Sequence, residues 1–348
     1  MTYGSRDKDN GFDGLRVIAA WLVLFNHSYP LTGANSVDVL TQILRIDTSG
    51  GLAVCIFFVI SGYLVTISLE HSESVLDFCK KRCLRIYPGL LGLIVFTIFL
   101  MGPVATKKDI LEYFRDPATW QYFKTFSGFT IKYDLPGVFA DNPASGVNGS
   151  LWSLAIELRC YIVLALIGFL PFGMRVKSTL ILFFLFSAFV ARPPVDAGNV
   201  DQKYLGLSYY YAKYGLVFAI GMFVAAWKEI FDLKREYILF FVLLLGLSFS
   251  LTWPDIAISS AVYCVSVALI TLWIGLNFQI LTSVTKRIGD ISYGIYLYAF
   301  PVQQLLTSYK IHGHGLISYI VLSSLITAIL AYVSWIFIER PAISFKYK

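Results

Sequence analysis

Ten runs of mostly apolar residues, each about as long as a bilayer crossing, constrain this 348-residue chain more than any other feature. They fall at about 14–31, 51–69, 86–103, 151–170, 178–192, 209–227, 237–253, 256–276, 291–307 and 316–338. A helix rises ~1.5 Å per residue, so ~20 apolar residues cross the ~30 Å hydrocarbon core. The fifth run is short and suits a tilted or interfacial helix. Too few charges remain to cover a core of this size in water: 14% of residues are charged and 57% are hydrophobic, against ~25% charged in soluble domains. The expected fold is an all-α integral membrane protein, with about ten transmembrane helices in one bundle around a central cavity. Residues 1–348 are expected to form a single membrane domain. The first run carries Arg16, Asn26 and His27 and no small-residue cleavage site follows it, so it is read as a helix and not as a signal peptide.

The net charge of +6 does not imply a nucleic-acid partner. The basic residues sit in short clusters between apolar runs, as in chains that orient themselves across a membrane. With the N-terminus inside, 17 Lys and Arg face inward and 10 face outward; Arg159, within a helix, completes the 28. This bias predicts both termini in the cytoplasm and a long extracytoplasmic loop at 104–149. That loop holds Trp120, Tyr122, Phe123, Phe126, Phe129, Tyr133 and Phe139, which suit stacking on sugar rings or a belt in the headgroup layer. The five cysteines are too few and scattered for a disulfide framework and are read as free thiols. No metal site is expected, since His312 and His314 have no Cys, Asp or Glu partner nearby.

Ionisable residues within membrane helices cost ~2.5–3.5 kcal/mol each on insertion scales, so they mark function. Arg16 and His27 share the first run. Eleven residues of helix separate them by ~16.5 Å and return to within about 20° of the same face. Asp13, three residues before Arg16, can pair with it. Glu157, in the fourth run, is expected at a depth close to that of His27, where a carboxylate could fix the imidazole tautomer. Its competing partner is Arg159. The inner segment CKKRCLRIYP carries Arg82 and Arg85 on one helical face. Paired arginine forks suit phosphate, while Lys80 and Lys81 are explained by inward anchoring alone. In GDISYGIYLYAFPVQQ, Tyr293, Tyr296 and Tyr298 with Gln303 and Gln304 form a polar strip. Ser61 and Gly62 read as close helix packing.

Six segments carry a family resemblance: FDGLRVIAAWLVLFNH, FFVISGYLV, RCLRIYP, VNGSLWSLAIELRCY, GDISYGIYLYAFP and IERP. In this order they resemble the acyltransferase type 3 family of bacterial membrane O-acyltransferases across essentially the whole chain. The resemblance implies transfer of an acetyl group from cytosolic acetyl-CoA, a substrate and not a bound cofactor, to a hydroxyl of a surface glycan. O-antigen, exopolysaccharide, capsule or another lipid-linked repeat unit would be the acceptor, at the bacterial inner membrane. It implies His27, Arg16 and Glu157 as catalytic residues and Arg82 and Arg85 on the donor side, where Asp13, the partner of Arg16, is also expected. Asn148, Trp152, Tyr293 and Tyr298 are expected at the acceptor or cavity. Two departures stand out. Ala299 occupies the place before Phe-Pro where many relatives have a histidine, and no C-terminal soluble domain is expected after Lys348. The competing class is a transporter or flippase of lipid-linked sugars, which expects paired repeats with broken helices.

Overall fold

The computed structural model describes residues 11–34, 36–191, 208–230, 233–250, 256–278 and 280–345. Arg6, Lys8, Arg192, Lys203, Lys346 and Lys348 of the charge count lie outside the described residues. Within them the chain is helical, and one isolated bridge, Thr106 to Val138, is the nearest approach to a sheet.

Helices stand at all ten expected positions: α1 (Phe12–Leu31), α2 (Ser49–Glu70), α3 (Val75–Ala105), α4 (Gly149–Gly168), α5 (Met174–Val190), α6 (Tyr209–Ala226), α7 (Ile238–Ser250), α8 (Ile256–Asn277), α9 (Ser292–Ser308) and α10 (Leu316–Ser344). Five are long and apolar enough to cross a membrane by length and composition: α2, α3, α4, the Ile258–Asn277 part of α8, and α10. The other five fall short for visible reasons. Helices α5, α7 and α9 have 17, 13 and 17 residues. Helix α1 carries Asp13 and Arg16, and α6 opens on Tyr209, Tyr210, Tyr211 and Lys213. The outward residues are apolar as well. Ile317, Leu325, Ile329 and Phe337 of α10 are 79%, 58%, 64% and 73% exposed, a surface that belongs in lipid and not in water.

The chain divides into two compact units. The first comprises Met1–Ala19, Ile43–Phe78 and Arg159–Arg287. Here α2 and α6 meet backbone to backbone. A Cβ on Gly62 would fall 2.1 Å from the Phe218 carbonyl oxygen, and one on Gly221 2.3 Å from that of Val59. The Ser61-Gly62 pair is therefore packing, as small residues at helix contacts allow. Lys213, one of the ten Lys and Arg residues counted as outward, is buried inside α6. Its Nζ donates to Asp47 at 2.7 Å, with the two side chains 4% and 9% exposed.

The second unit comprises Ala20–Gln42, Cys79–Leu158 and Ile288–Lys348. Helix α9 runs through its core. Gly294 admits Ala331 of α10, and Gly89 of α3 admits the ring of Tyr293. Both α3 and α10 contain a π-helical stretch, Thr97–Met101 and Trp335–Glu339. The long loop is folded. Asp109 and Asp116 cap the short helices Ile110–Arg115 and Pro117–Gln121, and Tyr113 and Tyr122 are fully buried. Its far end is held by Gln304 of α9, whose amide donates to the carbonyls of Ala144 and Gly146 and accepts from Asn142. Trp120 and Phe123 stack at 6.4 Å with planes 4° apart, and Trp120 is 45% exposed.

Candidate active site

The site is built from α1 outward. Of the four histidines, His71 lies in a turn, His312 and His314 lie in the short 3-10 helix Ile311–His314, and His27 lies within α1. The ring of Phe300, from α9, meets it edge to face, with centroids 5.1 Å apart and planes at 76°. One turn further along α9, Gln303 is fully buried and its Nε2 donates to the Leu24 carbonyl at 2.9 Å and to Ser28 Oγ at 2.8 Å. Leu24, His27 and Ser28 share one face of α1, by their i, i+3 and i+4 spacing. Phe300 and Gln303 therefore bracket the turn that carries the imidazole. Two buried atoms here have no hydrogen-bond partner among the described residues: His27 Nδ1 and Gln303 Oε1. Leaving such a group unpaired costs about 1–3 kcal/mol.

The segment NGS at the start of α4 supports this arrangement. Pro301 lies inside α9 and has no N–H, so it leaves the carbonyl four residues earlier without its helical donor. That carbonyl belongs to Leu297, and Asn148 Nδ2 donates to it at 2.9 Å. Asn148 Oδ1 accepts from the Ser150 N–H, which makes it the N-cap expected from sequence. Asn148 is thus fully buried with both ends of its amide engaged. Gly149 follows because nothing larger fits: a Cβ there would lie 2.7 Å from Phe300 Cε2. Tyr296 completes the joint, bonding Ser153 Oγ at 2.9 Å and the Ser150 carbonyl. Trp152, next in the chain before Ser153, is half-buried.

Glu157 lies on α4. It is among the charges felt by the Tyr293 and Tyr296 hydroxyls of α9, and it is not bonded to His27 Nδ1. Arg159, its competing partner, has its guanidinium 5.3 Å from the centre of the Tyr211 ring. Tyr293 and Tyr298 are packed on α3. The Tyr293 hydroxyl donates to the Ile86 carbonyl at 2.9 Å, and the Tyr298 ring meets Phe96 at 5.5 Å.

Arg82 and Arg85 lie on α3. Arg85 forms an ion pair with Asp290, whose other oxygen accepts from Ser292 Oγ at 2.5 Å, just where α9 begins. Glu339, from IERP, is buried beside them. Its Oε1 accepts from Ser334 at 2.8 Å, and its charge interacts with Arg85 and Asp290. Asp13 and Arg16 pair across one turn of α1 at 3.9 Å. The sequence reading passed over Phe300, Asp290 and Glu339 as site residues, although all three fall in or next to its quoted segments.

Five helices long and apolar enough to cross a membrane mark a multi-pass membrane protein. The acyltransferase domain family, type 3, matches residues 9–338, and the chain belongs to that family; it is a membrane-bound acyltransferase. It is 30% identical over 345 residues to a protein of Shigella phage Sf6 named "O-acetyl transferase", covering 96% of each chain. It is 27% identical to "Nodulation protein 10" of Rhizobium leguminosarum bv. viciae, covering 97% of this chain and 94% of that one. It is 26% identical to "O-acetyltransferase OatA" of Staphylococcus aureus, covering 95% of this chain and 56% of the longer relative. No solved structure matches it.

Proposed function

We propose that the protein moves an acetyl group from cytosolic acetyl-CoA to a hydroxyl of a cell-surface polysaccharide at a bacterial inner membrane. His27 carries this reading, as a neutral base enclosed by α1 and α9 and supported by Phe300. The full-length likeness to a relative named "O-acetyl transferase" supports the group transferred. The acceptor is an O-antigen, exopolysaccharide or capsule unit, carried on lipid. Ten helices cross the membrane around a central cavity, both termini are cytoplasmic, and the 104–149 loop faces outward.

In this reading the phosphates of acetyl-CoA meet Arg82 and Arg85 at the inner end of α3, and Arg16, paired with Asp13, serves the reaction from α1. The pantetheine arm reaches toward His27. A neutral imidazole has a nitrogen lone pair, so it can take the proton of the sugar hydroxyl or carry the acetyl group itself. By either route the C–S bond of the thioester breaks, an ester C–O bond forms, and the hydroxyl proton ends on the sulfur of coenzyme A. Glu157 acts through Tyr293 and Tyr296. Trp152, Tyr298 and Asn148 shape the acceptor side of the cavity.

The test is reconstitution. Purified protein in vesicles is given acetyl-labelled acetyl-CoA and a lipid-linked glycan. Label recovered in the glycan and released by mild alkali is expected. Movement of the glycan across the vesicle membrane without any labelled ester would favour the flippase class instead.

A further inference from the structure

The His27 imidazole and the Gln303 amide face the same α1–α9 contact, and each leaves one buried polar atom unpaired. Nδ1 of His27 and Oε1 of Gln303 have no partner among the described residues. The orientation of the amide is fixed, because its other end bonds the Leu24 carbonyl at 2.9 Å, a group that can only accept. The nitrogen must face Leu24, so the oxygen is the end left over. The backbone of Gln303 is held as well: the Tyr319 hydroxyl of α10 donates to its carbonyl at 2.9 Å. Phe300, one turn away on α9, holds the imidazole edge to face. The two unpaired atoms are also chemically complementary. A neutral imidazole carries one N–H, and an amide oxygen accepts one.

We infer that Gln303 is the positioning residue for His27. Its Oε1 accepts a hydrogen bond from Nδ1–H when the site is organised for reaction, and so leaves the lone pair on Nε2. Catalytic hydrogen bonds are often long in the ligand-free enzyme and tighten in the complex. An orienting group behind a histidine base is the logic of catalytic triads, here with a neutral amide in place of a carboxylate. The assignment gives Gln303 the task that sequence spacing suggested for Glu157. It rests on His27 being the base or acyl carrier, and it serves either route, since both need a free Nε2.

Two variants and one spectrum test it. Gln303→Met keeps the length of the side chain but removes both the donor and the acceptor. Gln303→Glu also loses the donor to Leu24 and Ser28 but keeps an acceptor for Nδ1–H. The spectrum is taken on ring-15N-histidine protein in which His71, His312 and His314 are replaced by Gln, so that only His27 reports. The expected wild-type result, with the acyl donor and acceptor bound, is a protonated Nδ1 and an unprotonated Nε2. Gln303→Met should lose that tautomer and lose about 10- to 100-fold in kcat, with KM for both substrates within about threefold. Gln303→Glu should keep the tautomer and recover most of the rate. A wild-type Nε2–H tautomer, an unchanged spectrum in Gln303→Met, or equal losses in the Met and Glu variants would each overturn the inference. The spectrum needs no turnover, so the two failures are told apart: acetyl transfer by His27→Gln protein removes the functional reading and with it the catalytic task of Gln303, whereas a wrong or unchanged tautomer removes the Gln303–His27 hydrogen bond itself.

Discussion

Phe300 stands edge to face against His27, with ring centroids 5.1 Å apart, and the bare Cα of Gly149 makes room for it. A methyl group at Gly149 would sit 2.7 Å from Phe300 Cε2, close enough to push the ring against the imidazole. Gly149→Ala should therefore cost about 1–3 kcal/mol as an overpacking change. It should also lower kcat by about tenfold. Thermal unfolding in detergent and steady-state kinetics measure the two effects separately.

Arg85 is held by Asp290. If Arg82 and Arg85 bind the donor phosphates, replacing either by Ala should raise the KM for acetyl-CoA by about 10- to 100-fold. That corresponds to the ~1.5–3 kcal/mol of one charge-assisted hydrogen bond. Arg85→Lys should recover only part of it, because the planar fork is lost. Asp290→Asn should raise the same KM by a smaller factor, since it loosens the arginine without removing it. Unchanged donor affinity in both alanine variants would return these residues to membrane anchoring.

Lys213 and Asp47 form a buried ion pair. Removing one partner leaves the other charged and unpaired, which costs about 3–5 kcal/mol. Lys213→Met should show that loss in thermal unfolding. The double variant Asp47→Asn, Lys213→Met should be considerably more stable than the single one, because no buried charge is left behind.

The proposed topology is tested with an impermeant thiol reagent. The five native cysteines are free, so the background protein has them replaced by Ser or Ala. Lys124→Cys and Ser74→Cys both alter exposed residues. The first should label on intact cells and the second only after permeabilisation. The reverse pattern would remove the argument for a cytosolic donor.

What could be read from sequence was local. The ten helices announce themselves as apolar runs, the Asn148 cap as an N-G-S turn before one of them, and the Gly62 contact as a small residue in an apolar helix. What could not be read depends on partners far away in the chain. Gln303 reaches Ser28 across 275 residues, and Arg85 reaches Asp290 across 205. Lys213 counts as an outward cation in the sequence because its counter-ion, Asp47, is 166 residues away. Glu157 was assigned to His27 by estimated depth alone. Depth leaves rotation about the helix axis undetermined, so spacing alone could not say which groups Glu157 faces.

The central claim is that the imidazole of His27 performs the transfer, and one substitution addresses it directly. Gln at this position keeps hydrogen-bonding capacity but cannot accept the proton or carry the acyl group. Purified His27→Gln protein is first shown to insert and to unfold at a temperature near wild type. It is then given labelled acetyl-CoA and glycan acceptor in vesicles. A fall in kcat of about 10²–10⁴-fold, the range for loss of a general base, is the predicted result. Acetylation at a rate close to wild type by this folded variant would contradict the account.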